Sequence, residues 1–196
     1  MTATPETPRR LQIEEAASEL FRERGYAATS VRDIAQALNL QGGSLYAHMA
    51  SKEDVLWSIV IRAADRFNAQ VGPIAADTSA SPADRLANMI RAHVGVVTSI
   101  QQDAAVFLHE WRFLSLPRRA EMSARRDEYE QLFREVIGEG IGRGSFRAVD
   151  PRLTAAAILS ALNGIATWYS PSGALSQAQI ADQHADLFLH ALEIQP

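Results

Sequence analysis

Apolar residues Ile13, Ala16, Ala17, Leu20 and Phe21 recur at the three-and-four spacing of one helix face, and Gly25 follows as a residue suited to a left-handed stop. A first helix is therefore predicted over about 8–24. In "TSVRDIAQAL", Ser30 stands three before Asp33 in a capping-box arrangement, and Val31, Ile34, Ala35 and Leu38 form an apolar face, giving a short second helix over about 30–38. Asn39-Leu40-Gln41 makes a tight connection to "GGSLYAHM", enough for one or two turns, before Ser51 caps a new helix with Asp54 at its third position.

From Ser51 the pattern Leu56, Ile59, Val60, Ala63 and Phe67 continues until Gly72-Pro73, where this long helix is expected to end. After the loop "IAADTSASP", helices are predicted over about 82–101, 103–115 and 117–139, with Gly138 opening a glycine-rich exit. Asp150 before Pro151 marks the start of a helix over about 151–169, and the turn "SPSG" leads to a last one over about 176–193. No segment alternates as a half-buried strand does. The pattern is all-α, about nine helices, divided into an N-terminal three-helix domain over about 1–50 and a larger helical bundle over about 51–196.

Composition narrows the chemistry. At 196 residues and 47% hydrophobic content the chain can bury a substantial core. Without cysteine it has no disulfide framework and no thiolate site. The opening "MTATPETPRR" lacks an apolar stretch behind its basic residues, so the expected setting is cytoplasmic. Residues 153–181 carry no charge, yet Pro171 and Gly173 break them, which suits a helix between protein helices rather than a membrane span.

Net charge is −4, unlike a nonspecific polyanion binder, so the distribution matters more than the sum. Nineteen residues between Asp33 and Glu53 contain no acid and one lysine, Lys52. Three short helices, the last two joined by a tight turn, make a helix-turn-helix, in which the third enters the major groove. An acid-free surface there avoids repelling phosphate. Gly42, Gly43 and Ser44 allow close approach and offer main-chain N–H donors. Tyr46 can place its hydroxyl on phosphate or its ring against a thymine methyl, and Lys52 can add a point charge at the DNA backbone.

The stretch "AASELFRERGYAATSVRDIAQALNLQGGSLYAHMASKEDVLWSIV" resembles the DNA-binding domain of the TetR family of bacterial transcriptional regulators. The resemblance implies a homodimer whose recognition helices read half-sites about one helical turn apart. It also implies that Thr29, at the start of helix two, lies at phosphate, and Ser30 beside it is a further DNA-binding candidate. Tyr46 and His48 would serve as phosphate and groove contacts, Lys52 as a phosphate contact, and Gly42, Gly43 and Ser44 as the start of base readout. Met49 stands where phenylalanine is usual, a change expected in packing beneath the recognition helix. "FLHEWRFL", "RRDEYEQLFREVIGEGIGRGSFRAVDP" and "LSALNGIATWYSPSG" resemble a branch of the family that responds to acyl-coenzyme A thioesters.

On that reading the function is ligand-responsive repression of a DNA operator. A multidrug-type sensor and a helical acyl-thioester enzyme are the alternatives. Phe107, Trp111, Arg112, Leu114, Phe133, Ile137 and Trp168 are candidates to line a hydrophobic effector site, since sites in bundles lie between helices. Each is also compatible with ordinary core, and Arg112, Arg119, Arg125 and Arg126 with either a pocket mouth or a solvated face. Arg9 and Arg10 can reach a minor groove or stay in solvent.

The small residues Ala155, Ala156, Ala157, Ala161 and Gly164 permit close helix approach, so Ala157 and Ala161, with Leu187, Phe188 and Ala191, are candidates for a two-fold dimer interface. No two histidines stand four apart, and no nucleophile elbow or phosphate loop occurs. No metal, no cofactor and no catalysis are expected.

Overall fold

The computed structural model describes residues 8–40 and 45–194. Among them lie eight α-helices, one 3-10 turn and no strand. They are α1 (Pro8–Arg24), α2 (Val31–Ala37), α3 (Lys52–Ala76), α4 (Pro82–Ser99), α5 (Gln101–His109), the 3-10 turn Trp111–Phe113, α6 (Leu116–Gly142), α7 (Pro151–Trp168) and α8 (Gln177–Leu192). The predicted third helix begins in residues outside the described set.

Most boundaries follow local chemistry. Gly25, at φ 82°, ends α1 and donates its N–H to Phe21 O at 2.9 Å. Ser81 Oγ caps α4 by accepting from Asp84 N, and Ser176 forms a capping box with Gln179 at the start of α8. Asp150 Oδ1 accepts from Arg152 and Leu153 N at 2.8 and 3.0 Å ahead of Pro151.

Three expected boundaries are corrected. The long helix does not stop at Gly72-Pro73: α3 runs to Ala76. Proline removes one N–H from the ladder, but Ala75 is buried and the Arg85 guanidinium takes its carbonyl, so the last turn is held from outside the helix. The segment expected as one helix over about 103–115 begins at Gln101, and at Glu110 it tightens into the 3-10 turn. Finally, α6 passes through Gly138 and Gly140 to Gly142. A Cβ at Gly140 would overlap the Phe146 ring, so this glycine serves close approach. Gly144, at φ 69°, makes the left-handed turn after the helix.

The described chain divides into two compact units. One takes the residues up to Ala63 together with Gln102–Met122; the other takes Ala64–Gln101 and the residues from Ser123 onward. In the first, Ile13, Ala17, Leu20, Phe21, Ile34, Leu45, Leu56, Ile59 and Val60 form the core. In the second, α4 packs against α7 and α8, burying Leu86, Met89, Ile90, Val94 and Val97. Gln101 Nε2 closes the end of α7 by donating to Tyr169 O at 2.7 Å. Helices α3 and α6 each run unbroken from one unit into the other.

Candidate nucleic-acid interface and effector domain

The first unit is built around a sharp turn. Leu40 N bonds Ala35 O at 2.8 Å and Asn39 N bonds Gln36 O at 3.1 Å, the pair of bonds of a Schellman motif, with Asn39 at φ 54° in its left-handed position. The turn satisfies the last carbonyls of α2 and directs the chain away at once. Leu45 and Met49 then bury their side chains on the unit's core, while Tyr46 between them is 59% exposed. Alternation of inward and outward side chains over one helical turn thus presents Tyr46 to solvent on a fixed base. His48 is half-buried. Gly42, Gly43 and Ser44 lie outside the described residues. Met49 packs inside, as its position beneath the turn implied.

Thr29 sits differently from a phosphate contact: it is 1% exposed, and its hydroxyl donates to Gly25 O at 2.9 Å and Leu20 O at 3.3 Å. In this geometry the hydroxyl fastens the α1–α2 loop from within. Ser30 remains exposed and caps α2; its hydroxyl and N–H hold Asp33 Oδ2 at 2.6 and 2.7 Å, which lowers the Asp33 pKa below the usual carboxylate range. Lys52 Nζ donates to Tyr26 O at 2.8 Å and Thr29 O at 2.6 Å and lies 4.0 Å from the Tyr26 ring centre. Burial lowers its pKa. Two of its three N–H donors therefore fasten the same loop.

That loop is also gripped from residues 102–122. Glu110 Oε2 accepts from Tyr26 N at 3.0 Å, and the Phe113 ring stacks on Tyr26 at 5.6 Å. Deeper in the unit, Glu14 of α1 is 1% exposed and accepts from Arg10 and from Arg62 of α3, while Arg62 also meets Asp103 of α5 at 3.0 Å and Ser18 donates to Asp103 at 2.6 Å. Buried carboxylates are tolerated only when paired, and this network pairs them across three helices. Arg10 also donates to Ser58 Oγ at 2.5 Å, and Arg9 bonds Gln12, so both arginines contact their own unit.

The effector candidates do not share one unit. Phe107 and Leu114 are buried, Trp111 half-buried and Arg112 exposed, all four in the first unit. Phe133 and Ile137 are buried in the second, where Trp168 is 54% exposed at the end of α7. Of the dimer candidates, Ala157, Ala161, Leu187 and Ala191 are exposed, Leu187 at 63%, and Phe188 is half-buried. Ala157, Phe188 and Ala191 line, with Leu153 and Leu192, an apolar groove of about 200 Å³ between α7 and α8. Among the described residues no helix is long and apolar enough to cross a membrane, and no three acidic or histidine side chains are placed to hold a metal.

Residues 13–59 match the pattern of the bacterial regulatory proteins of the tetR family, and residues 79–192 match the tetracyclin repressor-like C-terminal domain. The chain belongs to the tetR family. Among its relatives is the HTH-type transcriptional repressor KstR2 of Mycobacterium tuberculosis (strain ATCC 25618 / H37Rv), 31% identical over 183 residues, 92% of this chain and 91% of KstR2. The solved structure of the ketosteroid transcriptional regulator KstR2 of Mycobacterium tuberculosis matches with a TM-score of 0.90 at 29% identity over the whole of both chains. AibR, solved in complex with isovaleryl coenzyme A and operator DNA, matches with a TM-score of 0.81 at 31% identity over 94% of this chain and 98% of AibR.

The protein is thus a DNA-binding transcriptional regulator of the tetR family, and the family's N-terminal match covers α1 from Ile13 onward, α2, the Schellman turn and the start of α3. What the sequence reading missed is the set of long-range partners in this tetR-family fold. Glu110 and Phe113 of the first unit, and His93 and Tyr129 of the second, were not among the candidates. His93 carried a signal: it is a lone histidine among Met89, Ile90, Val94 and Val97 on the apolar face of its helix.

Proposed function

We propose that the protein is a dimeric repressor that holds a short palindromic operator and releases it when a hydrophobic effector, an acyl-coenzyme A thioester, occupies the larger unit. The observation that carries the DNA half is the exposed Tyr46 on a rigidly capped helix-turn-helix. Relatives named as repressors, and AibR solved with isovaleryl coenzyme A and operator DNA, support the rest. In this reading 1–50 is the DNA-binding part and 51–196 the effector and dimer part. Gly42, Gly43 and Ser44 meet base edges, Tyr46 and His48 meet phosphate and groove, and Ser30 meets phosphate. Lys52 and Thr29 act from behind, holding the loop that sets the entry of α2. The apolar groove and the exposed Leu187 form part of a two-fold interface between α7 and α8 of two copies. The protein works where its operator is, in the cytoplasm.

Release requires an effector that binds better to a geometry mismatched to the operator. The chain itself links the units: residues 102–122, which grip the α1–α2 loop through Glu110 and Phe113, follow Gln101 of the larger unit and run on into it along α6. Fluorescence anisotropy on the DNA upstream of the protein's own gene, at fixed salt, tests the proposal with wild type and Tyr46→Ala. Expected are specific binding, a loss of about tenfold or more in the variant, about 1.4 kcal/mol or more, and relief by one member of an acyl-coenzyme A series. Unchanged affinity in Tyr46→Ala would move the recognition surface elsewhere. Release by unrelated cationic drugs and by no thioester would favour the multidrug sensor.

A further inference from the structure

The larger unit buries a histidine–tyrosine pair among aromatic rings. His93 of α4 is 2% exposed and surrounded by rings: Phe67 at 4.8 Å, Tyr129 at 5.8 Å and Phe133 at 6.5 Å between ring centres. Its Nδ1 lies 2.9 Å from the Tyr129 hydroxyl. Its Nε2 is buried and meets no hydrogen-bond partner among the described residues. Buried polar atoms are nearly always satisfied, so an Nε2 with no bond in good geometry, set among rings of α3, α4 and α6 and near the Asn163 side chain of α7, calls for a further partner.

We propose that His93 and Tyr129 form the polar anchor of an effector site inside the larger unit, with His93 Nε2–H receiving a neutral carbonyl oxygen on an otherwise apolar molecule. This rests on the reading above that the unit binds a hydrophobic effector, and it names the group that is read there. The tautomer follows from the pair. Tyr129 has no other acceptor for its hydroxyl hydrogen among the described residues, so the phenol donates to Nδ1 and the ring proton stands on Nε2. The site therefore offers one donor, without charge.

Burial holds the imidazole neutral, lowering its pKa to about 3, and the nearby Asn163 side chain opposes this. A carboxylate or phosphate would find no counter-charge at that point, whereas the carbonyl of a thioester or ketone needs only the N–H. The anionic part of a coenzyme A ester would have to lie elsewhere. A donor fixed in an apolar site also discriminates strongly, because a molecule lacking the acceptor leaves the N–H unpaired.

The test uses the full-length protein and two matched pairs of probes in calorimetric titrations. One pair is isovaleryl-coenzyme A and the S-isopentyl thioether that lacks its carbonyl; the other is androstanone and its parent hydrocarbon androstane. Wild type is expected to prefer the carbonyl-bearing member of one pair by about tenfold, which also tells thioester from ketone. His93→Leu should erase the preference by weakening only that member, and His93→Gln, which keeps a donor, should retain part of it. Equal binding of both members by wild type, or a preference that survives in His93→Leu, overturns the proposal.

If neither pair binds, the isovaleryl thioester and the androstane ketone are excluded as effectors, and thermal unfolding decides the anchor on its own. A His93→Leu/Tyr129→Phe double variant replaces both partners with apolar groups. It should melt above wild type if the pair is kept for a ligand. Melting at or below wild type would make the pair structural and overturn the anchor.

Discussion

Asn39 sits at φ 54°, alone among the described non-glycine residues in having a positive φ. Asparagine tolerates this conformation because its short side chain can bond locally; a β-branched residue cannot. Asn39→Val should therefore cost about 1–2 kcal/mol in urea unfolding, and Asn39→Gly almost nothing. His93 gives a pH signature. Its pKa falls from 6.5 to about 3 on burial, so the unfolded chain takes up the proton first. The stability contributed by keeping the ring neutral is complete above the unfolded value and is lost as pH falls below it toward 3, by up to about 1.4 kcal/mol per pH unit. His93→Leu should flatten the pH dependence of unfolding free energy between about pH 6 and 4 by close to one proton. A slope unchanged in the variant would place the titrating group elsewhere.

Helix α6 shows how an element can contradict its own composition. Glycine inside a helix ordinarily weakens it, and replacement by alanine ordinarily helps by up to about 1 kcal/mol. At Gly140 the sign should reverse, since a Cβ would overlap the Phe146 ring. Gly140→Ala is expected to destabilise by about 1–3 kcal/mol in thermal or chemical unfolding, with much of the loss recovered by adding Phe146→Ala. Helix α3 makes the same point with Pro73: a residue that reads as a stop is carried through because Arg85 holds the following carbonyl. In both cases a neighbour distant in sequence decides what a breaker does.

For the proposed dimer the α7–α8 face is the one to test. Leu153, Leu187 and the groove beside Phe188 leave apolar surface in water, where a second copy would cover it. Leu187→Glu should shift sedimentation from dimer to monomer and weaken operator binding sharply, because the second half-site then loses its tethered partner. A variant that still sediments as a dimer would place the interface on another face. In the proposed dimer the two helix-turn-helix units would keep a spacing of about one DNA turn, which is what an effector would disturb.

Most helices, several of their caps and the turn after α2 were legible in the sequence because each depends on contacts within about five residues: Ser30 with Asp33, Gly25 after Phe21, Asp150 before Pro151, Leu40 with Ala35. Apolar spacing likewise identified the inward faces, as Ile13, Phe21, Ile34 and Leu56 show. Only the tertiary structure decided how side chains with more than one use are spent. Thr29 turns inward on Leu20 and Gly25, Lys52 binds loop carbonyls, and residues 102–122 join the unit that carries the turn. His93 acquires a phenol on one nitrogen and none on the other. The physical reason is range: capping and periodicity are local, whereas desolvation, pairing of buried charge and the meaning of a glycine depend on residues brought close by folding.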